Sequence, residues 1–592
     1  MVEGCSLLEL SVISSLIGGL IVSSACPVIM RISTFPFDKD GRESLRSDEA
    51  GTDWPVVYMI SNDSEAYIGE TCSMHNRMQQ HLQNGSRRSL KELSVISDER
   101  FNKSAVLDIE QMLIRHCGAD GRFRLQNISS GQSASHQYYQ REMYARMLPE
   151  IWERMKEHGL VKSDLDSVRN SNLFKYSPYT SLTSEQMTIC GEVLSDILEK
   201  LSDGKNGRAV IHGSAGTGKT VLAINMMFTL ANLGSSDFDV DVGMDMESGD
   251  STVMRRLSHY VREHGHLNIG LVVPMTSLRK TLEIVFRDSG NGLTKQMVLG
   301  PSEVVDGDYD VLLVDESHRL SRRRNISYMG SYDNVCHRLG MDPAECTQLD
   351  WIVASSRYTV LFYDEDQTVK GSDITSEQFE TIIGDDRMEF RLTSQLRCAS
   401  GDEYPLYLDR VFRCVQAHRE GFDGYDLRLF DDVGTMVDSI KDLDGEHGLC
   451  RTVAGYAWKW ISKGLTREEV LDQHLEDIVI GEHRYIWNMQ NVEWILREGS
   501  VDEIGCIHTT QGYDLNYVGV ILGPEIDYDE TKGEIIIHPD RFHDKYVKQG
   551  ADYETLKRYI INSYRVMMTR GIKGCYIYVC NPALKKYLQR FL

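Results

Sequence analysis

The sequence lacks the cysteine patterns that staple small secreted domains or hold structural zinc. Its 13 cysteines include no CxxC pair and follow no regular spacing. A zinc-ribbon signature is therefore excluded, and a disulfide scaffold is not expected in a chain of 592 residues. Reduced thiols fit this distribution, and we expect a cytoplasmic protein.

The sequence also has fewer basic than acidic side chains. The chain has 64 Lys and Arg against 88 Asp and Glu, a formal net charge of -24. A protein that only coats nucleic acid is usually basic, because phosphate neutralisation supplies most non-specific affinity, and the balance argues against that class. A motor is compatible with it, since its channel can be locally basic. Arg319, Arg322, Arg323 and Arg324 form such a cluster or, alternatively, a solvated loop.

Residues 5–30 are mostly apolar, as in a signal or membrane segment. No Lys or Arg precedes them, Glu9 interrupts them, and Gly18 and Gly19 dilute them. A second methionine, Met30, opens an ordinary soluble sequence. We expect an over-extended start or a dispensable extension, and no membrane partner unless these residues are a real anchor.

Length and hydrophobic patterning indicate several domains, because 592 residues are too many for one core. From residue 177 onward, strands rich in Val, Ile and Leu alternate with amphipathic helices, which predicts an α/β fold with parallel, doubly wound sheets. The acidic residues 235–250 predict a surface insertion. The predicted segments are an N-terminal extension and lead-in loop (1–55), a small α/β domain (56–135), a helical connector (136–176) and two lobes (177–385 and 386–592).

The strongest local signal is GSAGTGKT at residues 213–220, between an apolar strand and a helical run. It matches the P-loop pattern GxxxxGK[ST] in the expected context. Gly213, Gly216 and Gly218 let backbone N–H groups wrap phosphates, aided by the helix dipole. Lys219 would hold the β- and γ-phosphates of ATP, and the Thr220 hydroxyl would bind Mg²⁺.

A pair of acidic residues follows the apolar strand DVLLV. Asp315 would bind the magnesium shell, and Glu316 would polarise the attacking water. Adjacent carboxylates at the carboxyl end of a strand suit the ligand crevice of an open α/β sheet. An ordinary acidic strand end is the alternative, but the P-loop upstream favours an ATPase.

Six motifs occur in the order typical of superfamily 1 helicases. They are TSEQM, VVPMTSLRK, YDEDQ, LTSQLRC, HTTQGYDLNYVGVI and YRVMMTRG. DESHR, RTVAGYAWKW and YRVMMTRGIKG are closer still to a branch, often found in bacteria, that resembles the helicase-like C-terminal region of long Schlafen proteins. The resemblance implies a two-lobed, RecA-like P-loop helicase core.

The same resemblance implies further site residues. Gln186 would read adenine, and Gln367 would link ATP to nucleic acid. Arg397 and Arg570 would neutralise the transition-state phosphate from the second lobe, with Arg565 a weaker candidate. Salt bridges between the lobes are the alternative role for these arginines. The remaining matched positions are Gln395, Thr509, Gln511 and Gly512.

ATP and Mg²⁺ are thus the implied cofactors of the motor, and nucleic acid is its implied partner, with DNA favoured over RNA. Trp458 and Trp460 could stack on bases, but core packing is favoured for both. The chain leaves little room for the large inserted subdomains of many superfamily 1 enzymes. ATP hydrolysis therefore follows from the motifs more directly than strand separation does.

Residues 56–130 resemble a GIY-YIG nuclease. The first signature is degraded to Val56-Val57-Tyr58, whereas Tyr67-Ile68-Gly69 is intact at a family-like spacing. Arg77 and His81 lie four residues apart in a helical pattern and so share one face. Glu110 lies in a later helical pattern, and Asn127 matches a family asparagine.

The residue types at these positions fit metal-dependent phosphodiester cleavage. Glu110 would hold one divalent metal ion, which polarises the scissile phosphate. Tyr58 would act as general base, with Tyr67 positioning the attacking water. Arg77 would stabilise the transition state, and His81 would assist proton transfer. Core packing of the tyrosines and surface roles for the others are the alternatives, as is an inactive copy kept for DNA binding.

The sequence therefore predicts an ATP-dependent nucleic-acid translocase or helicase with an appended GIY-YIG endonuclease, acting in DNA repair, restriction or anti-phage defence. The alternative is a nucleotide-gated regulatory ATPase switch that controls a nuclease or partner without unwinding. A scaffold with relict motifs is disfavoured, because Lys219, Glu316, Arg397 and Arg570 are all present.

Overall fold

A computed structural model describes residues 30–127 except 49, 138–234 except 215, 249–364 except 325, 327 and 328, 371–394, 401–489 except 402 and 417, 494–510, and 513–592 except 550. The chain forms two compact units, of which the first ends at Leu165 and the second begins at Asp166. Within the described ranges, no helix is long and apolar enough to cross a membrane. The apolar segment 5–30 lies outside them, apart from Met30.

The first unit is a small antiparallel sheet with four helices. Its strands are β1 (Arg31–Pro36), β2 (Val56–Ser61), β3 (Glu65–Thr71), β4 (Glu92–Ser97) and β5 (Arg124–Leu125). Its helices are α1 (Lys39–Ser44), α2 (Met74–Gln83), α3 (Lys103–Asp120) and α4 (Arg141–Glu157). The strand order is β1-β4-β2-β3-β5, in which β5 alone pairs in parallel, with β3.

Strand β1 corrects the prediction that residues 31–55 form only a lead-in loop. It pairs antiparallel with β4 over its whole length, from Arg31 opposite Ser97 to Pro36 opposite Glu92. The strand lies at the sheet edge and alternates only between half-buried and exposed side chains. Because side-chain burial alternates only weakly along β1 and the strand ends in proline, the sequence gives little hydrophobic signal for a strand here.

Helix α4 belongs to the first unit, although the sequence placed it in a connector spanning 136–176. Trp152 of this helix is fully buried, and its indole Nε1 donates to the Ser163 carbonyl at 2.9 Å. The carboxylate of Asp120, at the end of α3, accepts from the backbone N–H groups of Lys162 and Ser163. These contacts hold the chain after α4 against α3.

The second unit contains two parallel sheets. The first lobe has β6 (Gly207–Gly213), β7 (Ile269–Val272), β8 (Val298–Leu299), β9 (Tyr309–Val314), β10 (Ser356–Tyr363) and β11 (Met388–Leu392). The second lobe has β12 (Asp426–Phe430), β13 (Cys450–Ala454), β14 (Ile478–Ile480), β15 (His483–Tyr485), β16 (Ile504–Gly505), β17 (Leu515–Leu522), β18 (Ile526–Asp529), β19 (Glu534–Ile537) and β20 (Gly571–Val579).

Helices alternate with these strands. They are α5 (Leu165–Asn170), α6 (Asn172–Lys175), α7 (Ser184–Ser202), α8 (Lys219–Asn232), α9 (Gly249–His264), α10 (Thr276–Ser289), α11 (Met329–Arg338), α12 (Gln348–Ala354), α13 (Ser376–Ile383), α14 (Glu403–Phe412), α15 (Val433–His447), α16 (Arg467–Asp472), α17 (Ile507–Thr510), α18 (Lys545–Lys548), α19 (Tyr553–Met568) and α20 (Pro582–Leu588). The predicted acidic insertion 235–250 lies outside the described residues, except for 249 and 250 at the start of α9.

The first lobe's sheet has the order β11-β6-β10-β9-β7-β8, and the second lobe's sheet has the order β12-β20-β17-β13-β16. All pairings within these two sheets are parallel. The prediction of an α/β fold with parallel sheets is therefore confirmed. Because β11 pairs with β6, the first sheet extends to Leu392, beyond the predicted lobe boundary at residue 385.

The start of the second unit is bonded to the second lobe before the chain enters the first. Asn170 Nδ2 donates to the His447 carbonyl at 3.0 Å, and Asn516 Nδ2 donates to Asn170 Oδ1 at 3.1 Å. Lys175 Nζ donates to the Asp514 carbonyl at 2.7 Å. Residues 170–175 therefore form an anchor on the second lobe, which we call the lobe anchor.

Candidate functional site

The predicted P-loop connects β6 to α8 in the first lobe, and its glycines are required by the backbone. Gly216 and Gly218 have φ values of 88° and 80°, a left-handed conformation that side chains with a Cβ rarely adopt. A Cβ on Gly213 would lie 2.5 Å from the Thr217 hydroxyl. The loop therefore brings backbone N–H groups to the start of a helix, an arrangement that suits a phosphate.

Lys219 begins α8 and is buried, with 5% of its surface exposed. Its ammonium group donates to the carbonyl oxygens of Gly213 at 2.5 Å and Ser214 at 3.0 Å. It also donates to Asp364 Oδ2 at 3.2 Å, at the carboxyl end of β10. The sequence reasoning did not single out Asp364, although an acidic residue directly after an apolar strand is the same signal that marked Asp315.

Thr220 and Asp315 lie side by side, as the predicted magnesium site requires. The Thr220 hydroxyl donates to Asp315 Oδ2 at 2.7 Å. Burial, followed by the neighbouring Glu316 carboxylate, raises the pKa of Asp315 to about 6. A hydroxyl and a carboxylate are oxygen ligands of the kind that Mg²⁺ prefers. The bound ion would place a positive charge next to the buried Asp315 carboxyl group.

Glu316 follows Asp315 in a left-handed conformation, with φ of 51° and ψ of 44°. Non-glycine residues adopt this conformation at a cost of about 1–3 kcal/mol, and such strain clusters at functional sites. Burial opposes ionisation of Glu316, but His318, whose Nε2 lies 3.0 Å from Glu316 Oε2, and the charges of Lys219 and Arg570 hold its pKa below the ordinary range. These contacts favour the ionised form of Glu316.

Arg570 belongs to the second lobe. It follows α19, is 2% exposed, and its positive charge is close enough to lower the pKa of Glu316. Arg565, the weaker candidate, instead pairs with Asp409 of the second lobe at 2.9 Å. The other predicted arginine, Arg397, lies outside the described residues, as do Gln367, Gln395, Gln511 and Gly512.

Gln186 and Thr509 are both fully buried and bonded to backbone groups. Gln186 Nε2 donates to the Thr217 carbonyl of the P-loop at 3.1 Å, while its Oε1 accepts from the Thr183 backbone N–H at the start of α7. The Thr509 hydroxyl bonds both backbone groups of Cys506. The predicted adenine contact of Gln186 stays a prediction, and its position is fixed by the P-loop.

Three of the four clustered arginines have partners within the first lobe. Arg319 is buried and pairs with Asp373 at 2.9 Å. Arg322 donates to the Gly371 carbonyl, and Arg323 pairs with Asp333. Arg319, Arg322 and Arg323 therefore make contacts within the first lobe, and the basic channel that the sequence predicts stays a prediction.

A groove of about 1350 Å³ lies between the two lobes. Tyr332 lines it from the first lobe, and Trp458 and Trp460 line it from the second. The same two tryptophans are half-buried and pack against the second lobe's core, as the sequence favoured. Lys463 Nζ lies 5.0 Å from the centroid of the Trp460 ring. The exposed lysines at the groove are Lys459, Lys463 and Lys545.

The predicted site of the first unit is assembled around Tyr58 of β2. Tyr58 pairs with Gly69 across the β2–β3 ladder, and a Cβ on Gly69 would lie 2.3 Å from the Tyr58 hydroxyl. The glycine of the YIG signature is therefore needed so that the Tyr58 ring can lie over β3. The rings of Tyr58 and Tyr67 have centroids 6.3 Å apart, and both are almost wholly buried.

Arg77 and His81 of α2 both contact the Tyr58 hydroxyl, as expected for two residues on one helix face. Arg77 Nε donates to it at 3.1 Å, and His81 Nε2 lies 2.7 Å from it. Burial, followed by the charges of Arg77 and Arg87, lowers the pKa of His81 to about 2, so its ring is neutral. Burial is also the largest cause that raises the pKa of Tyr58 above its ordinary value.

Arg87 is a residue of this site that the sequence analysis missed. It is 3% exposed, and its guanidinium carbon lies 3.4 Å from the centroid of the Tyr67 ring. A buried guanidinium stacked on an aromatic face is a favourable cation–π pair. No local sequence pattern distinguishes the buried Arg87 from the exposed Arg88 next to it. The contact between Arg87 and Tyr67 depends on the tertiary fold.

Glu110 and Asn127 complete the predicted set. Glu110 of α3 is 9% exposed, and its charge acts on the Tyr58 hydroxyl. Asn127 bonds both backbone groups of Ile68, accepting from its N–H at 3.1 Å and donating to its carbonyl at 2.8 Å. Among the described side chains, no three His, Cys, Asp or Glu residues converge on a point that could hold a metal ion.

The two-lobed second unit, with its P-loop, paired acidic residues and an arginine from the opposite lobe, defines a P-loop protein of the helicase class. A family model described as Schlafen group 3, DNA/RNA helicase domain, matches residues 207–581. Because this match covers more than half of the chain, the chain belongs to the Schlafen group 3 helicase-domain family.

Individual relatives are similar to this chain at low sequence identity. The uncharacterized protein YPL245W of Saccharomyces cerevisiae is 25% identical over 454 residues, covering 69% of this chain and 91% of that protein. The crystal structure of Pif1 helicase from Candida albicans is 10% identical, covering 67% of this chain and 95% of that one, with a TM-score of 0.24. Bacteroides Pif1 bound to ssDNA is also 10% identical, covering 67% and 92%, with a TM-score of 0.23.

Proposed function

We propose that the chain is an ATP-driven nucleic-acid translocase or helicase whose first unit is a metal-dependent endonuclease of the GIY-YIG type. The second unit would hydrolyse ATP, and the first would cut a phosphodiester bond. DNA is the favoured substrate, and DNA repair, restriction or defence against foreign DNA would use such an activity.

The observation that carries the motor proposal is the hydrogen bond between Thr220 at the P-loop and Asp315, next to Glu316. Thr220 and Asp315 would hold Mg²⁺, which when bound offsets the charge of the phosphates. The ionised Glu316 would polarise the attacking water. Arg570 would stabilise charge that develops on the transferred phosphate, so that hydrolysis needs both lobes.

The groove between the lobes supports a nucleic-acid partner. Half-buried tryptophans offer flat faces for bases, and stacking of this kind contributes about 1–3 kcal/mol per base. Exposed lysines beside them would contact the phosphate backbone. A groove with exposed lysines is compatible with the acidic net charge of -24, because a channel can be locally basic on an acidic protein.

Steady-state ATP hydrolysis, measured with single-stranded DNA, duplex DNA, RNA or no nucleic acid, tests the motor. We expect stimulation by one nucleic acid and loss of turnover in Lys219→Ala. The matched control is Lys205→Ala, an exposed lysine just before β6. Turnover that survives in Lys219→Ala would remove the P-loop from the proposal.

The nuclease proposal rests on the direction of the hydrogen bonds at Tyr58. A guanidinium can only donate, so the Tyr58 oxygen accepts from Arg77 Nε. The Tyr58 O–H is then free to donate to the neutral His81 Nε2. These two hydrogen bonds orient the Tyr58 oxygen, the predicted general base, for the attacking water. Tyr67, 5.1 Å from the His81 ring between centroids, would help position that water.

The single carboxylate of Glu110 fits a magnesium site completed by substrate. Mg²⁺ is commonly bound through one or two carboxylates plus phosphate oxygens and water. The bound ion would polarise the scissile phosphate. Arg77, and the stacked guanidinium of Arg87, would face the phosphate with two positive charges.

Cleavage of labelled duplex and single-stranded DNA by the full chain, with Mg²⁺ or with EDTA, tests the nuclease. We expect Glu110→Ala to abolish cleavage while ATP hydrolysis persists. Glu99→Ala, an exposed carboxylate of the same unit, is the matched control and should cleave normally. Cleavage that continues in Glu110→Ala would refute the metal assignment.

A nucleotide-gated switch without unwinding is the second candidate, and the domain content favours it. The described residues form only two compact units, and the second lobe adds only the small hairpins β14–β15 and β18–β19 to its sheet. Strand displacement by the full chain distinguishes the two candidates. ATP-dependent displacement supports the helicase, whereas stimulated hydrolysis without displacement supports translocation or the switch.

A further inference from the structure

We propose that Asp364 is a counter-ion of Lys219 that the phosphates of the nucleotide displace, so that Asp364 sets nucleotide affinity. This inference rests on the proposed ATP site. The established family membership does not assign Asp364 a role. Its position follows from contacts within the first lobe.

The Lys219–Asp364 pair is enclosed. The two side chains are 5% and 4% exposed, and Nζ lies 3.2 Å from Oδ2. An ammonium group has three protons, and the three acceptors of Lys219 are Asp364 and the carbonyls of Gly213 and Ser214. The hydrogen-bonding capacity of Lys219 is therefore filled by the protein itself.

Nucleotide binding has to change this arrangement. If Lys219 contacts the β- and γ-phosphates, at least one of its three acceptors has to leave. The two carbonyls belong to the P-loop that wraps the phosphates, whereas Asp364 lies on another strand. Its negative charge would also repel the phosphates in a low-dielectric site. Asp364 is therefore the acceptor that gives way, and its pairing with Lys219 competes with ATP.

The position of Asp364 connects the replacement of its carboxylate by phosphate to the rest of the first lobe. It follows β10 directly, and β10 lies between β6, which leads to the P-loop, and β9, which leads to Asp315 and Glu316. Release of Asp364 by phosphate would thus act on the strand between the two halves of the ATP site. Asp364 is a positioning residue in this account and not a catalytic one.

Binding of a fluorescent ADP analogue to the full chain tests the proposal without requiring hydrolysis. We expect Asp364→Asn to bind the analogue at least about tenfold more tightly, because a neutral amide competes less well than a carboxylate with the phosphates for Lys219. The increase should occur in EDTA as well as in Mg²⁺. Asp364→Ser, which also removes the charge, is measured in parallel and should also bind more tightly, whereas Asp364→Glu keeps the charge and should gain no affinity.

A double-mutant cycle with Lys219→Met isolates the pair. The effect of Asp364→Asn should fall to less than about twofold in the Lys219→Met background, because Asp364 can then no longer compete with phosphate for Lys219. Asp373→Asn, which removes a charge from the buried Arg319–Asp373 pair of the same lobe, is the matched control and should leave affinity unchanged.

The outcomes separate this proposal from the proposed ATP site. Weaker or unchanged binding in Asp364→Asn and Asp364→Ser would overturn it, as would an effect of equal size in the Lys219→Met background. An effect confined to Mg²⁺ would also overturn it, because Asp364 would then act on the ion. If Lys219→Met alone does not weaken binding, the ATP site itself is misassigned.

Discussion

The two candidate sites of this chain position their polar groups by different means. In the second unit, glycine backbone and strand ends hold Lys219 in an ion pair with Asp364 and the Thr220 hydroxyl in a hydrogen bond to Asp315. In the first unit, packed aromatic rings hold the Tyr58 hydroxyl, with Arg77 and Arg87 around it. One site is built from ion pairs, and the other from a buried aromatic cluster.

This difference has a physical consequence for how each site meets its substrate. A charged pair can exchange one partner for a phosphate with little loss of packing. An aromatic cluster has to keep its packing, because displacing a buried ring or polar group costs several kcal/mol. We therefore expect isosteric substitutions in the ATP site to reduce activity without destabilising the fold. Substitutions in the site of the first unit should reduce both activity and stability.

The largest expected effect is on ATP turnover by the second unit. Glu316→Gln keeps the shape of the side chain but removes the base, so ATP turnover should fall about 10³-fold while nucleotide affinity is retained. Phosphate release and binding of the ADP analogue measure the two quantities. Glu345→Gln, an exposed residue of the same lobe, is the control. Loss of nucleotide binding together with turnover would show that this site, too, depends on packing.

A single methyl group should have a large effect on the first unit. Gly69→Ala would place a Cβ 2.3 Å from the Tyr58 hydroxyl, so the ring has to move and lose its bonds to Arg77 and His81. We expect destabilisation of this unit by about 3 kcal/mol and loss of cleavage, with ATP hydrolysis unchanged. Thermal unfolding and the two assays measure this. Gly85→Ala, where a Cβ meets nothing within 4 Å, is the matched control.

Acid should weaken the first unit through His81. The folded pKa of His81, about 2, is below the ordinary value of 6.5. Above that ordinary value, His81 is neutral in both states and contributes no pH dependence. As the pH falls, only the unfolded state binds the proton, and stability is lost at about 1.4 kcal/mol per pH unit. Between pH 6.5 and pH 5, the loss should reach about 2 kcal/mol.

Hydrogen exchange of β2 and β3 amides in the full chain measures this loss. His81→Asn should flatten the pH dependence of their opening free energy, whereas amides of β17 in the second unit should not respond to the substitution. An identical pH slope in wild type and His81→Asn would show that the His81 ring is protonated or exposed in the folded state.

The smallest expected effect concerns the stacked arginine. Arg87→Gln retains a planar side chain over Tyr67 but removes the charge, and we expect cleavage to fall about tenfold, the effect of one lost charge-assisted contact to phosphate. Cleavage rates at saturating and limiting DNA give the measurement. Arg88→Gln, the exposed neighbour, is the control. Equal losses of cleavage in the two variants would show that Arg87 contributes only to the general positive charge and makes no specific contact.

Contiguous motifs made the ATP site predictable from sequence. The P-loop, Asp315 and Glu316 are each defined by residues within a few positions of one another, after strands with strong apolar patterns. Arg570 was identified from motif order alone, yet the structure brings its charge to Glu316. Glycine-rich backbone and strand ends place such residues with little help from distant contacts.

Features that depend on distant contacts were missed. Strand β1 has side chains that are only half-buried, so its pairing with β4 left no hydrophobic pattern. Arg87 acquires its place from stacking on Tyr67, twenty positions earlier in the chain. Asp364 lay within a quoted motif, but its partner Lys219 is 145 positions away. Each of these depends on which strands become neighbours.

The lobe anchor determines how the second unit should be produced alone. A gene fragment that begins at residue 177, the predicted start of the first lobe, would remove Asn170 and Lys175. The carbonyl of Asp514 and the amide of Asn516 would each lose a partner. A fragment that begins at Asp166 keeps all of these bonds. Expression trials of the isolated motor should therefore start ten or so codons earlier than the motif pattern suggests.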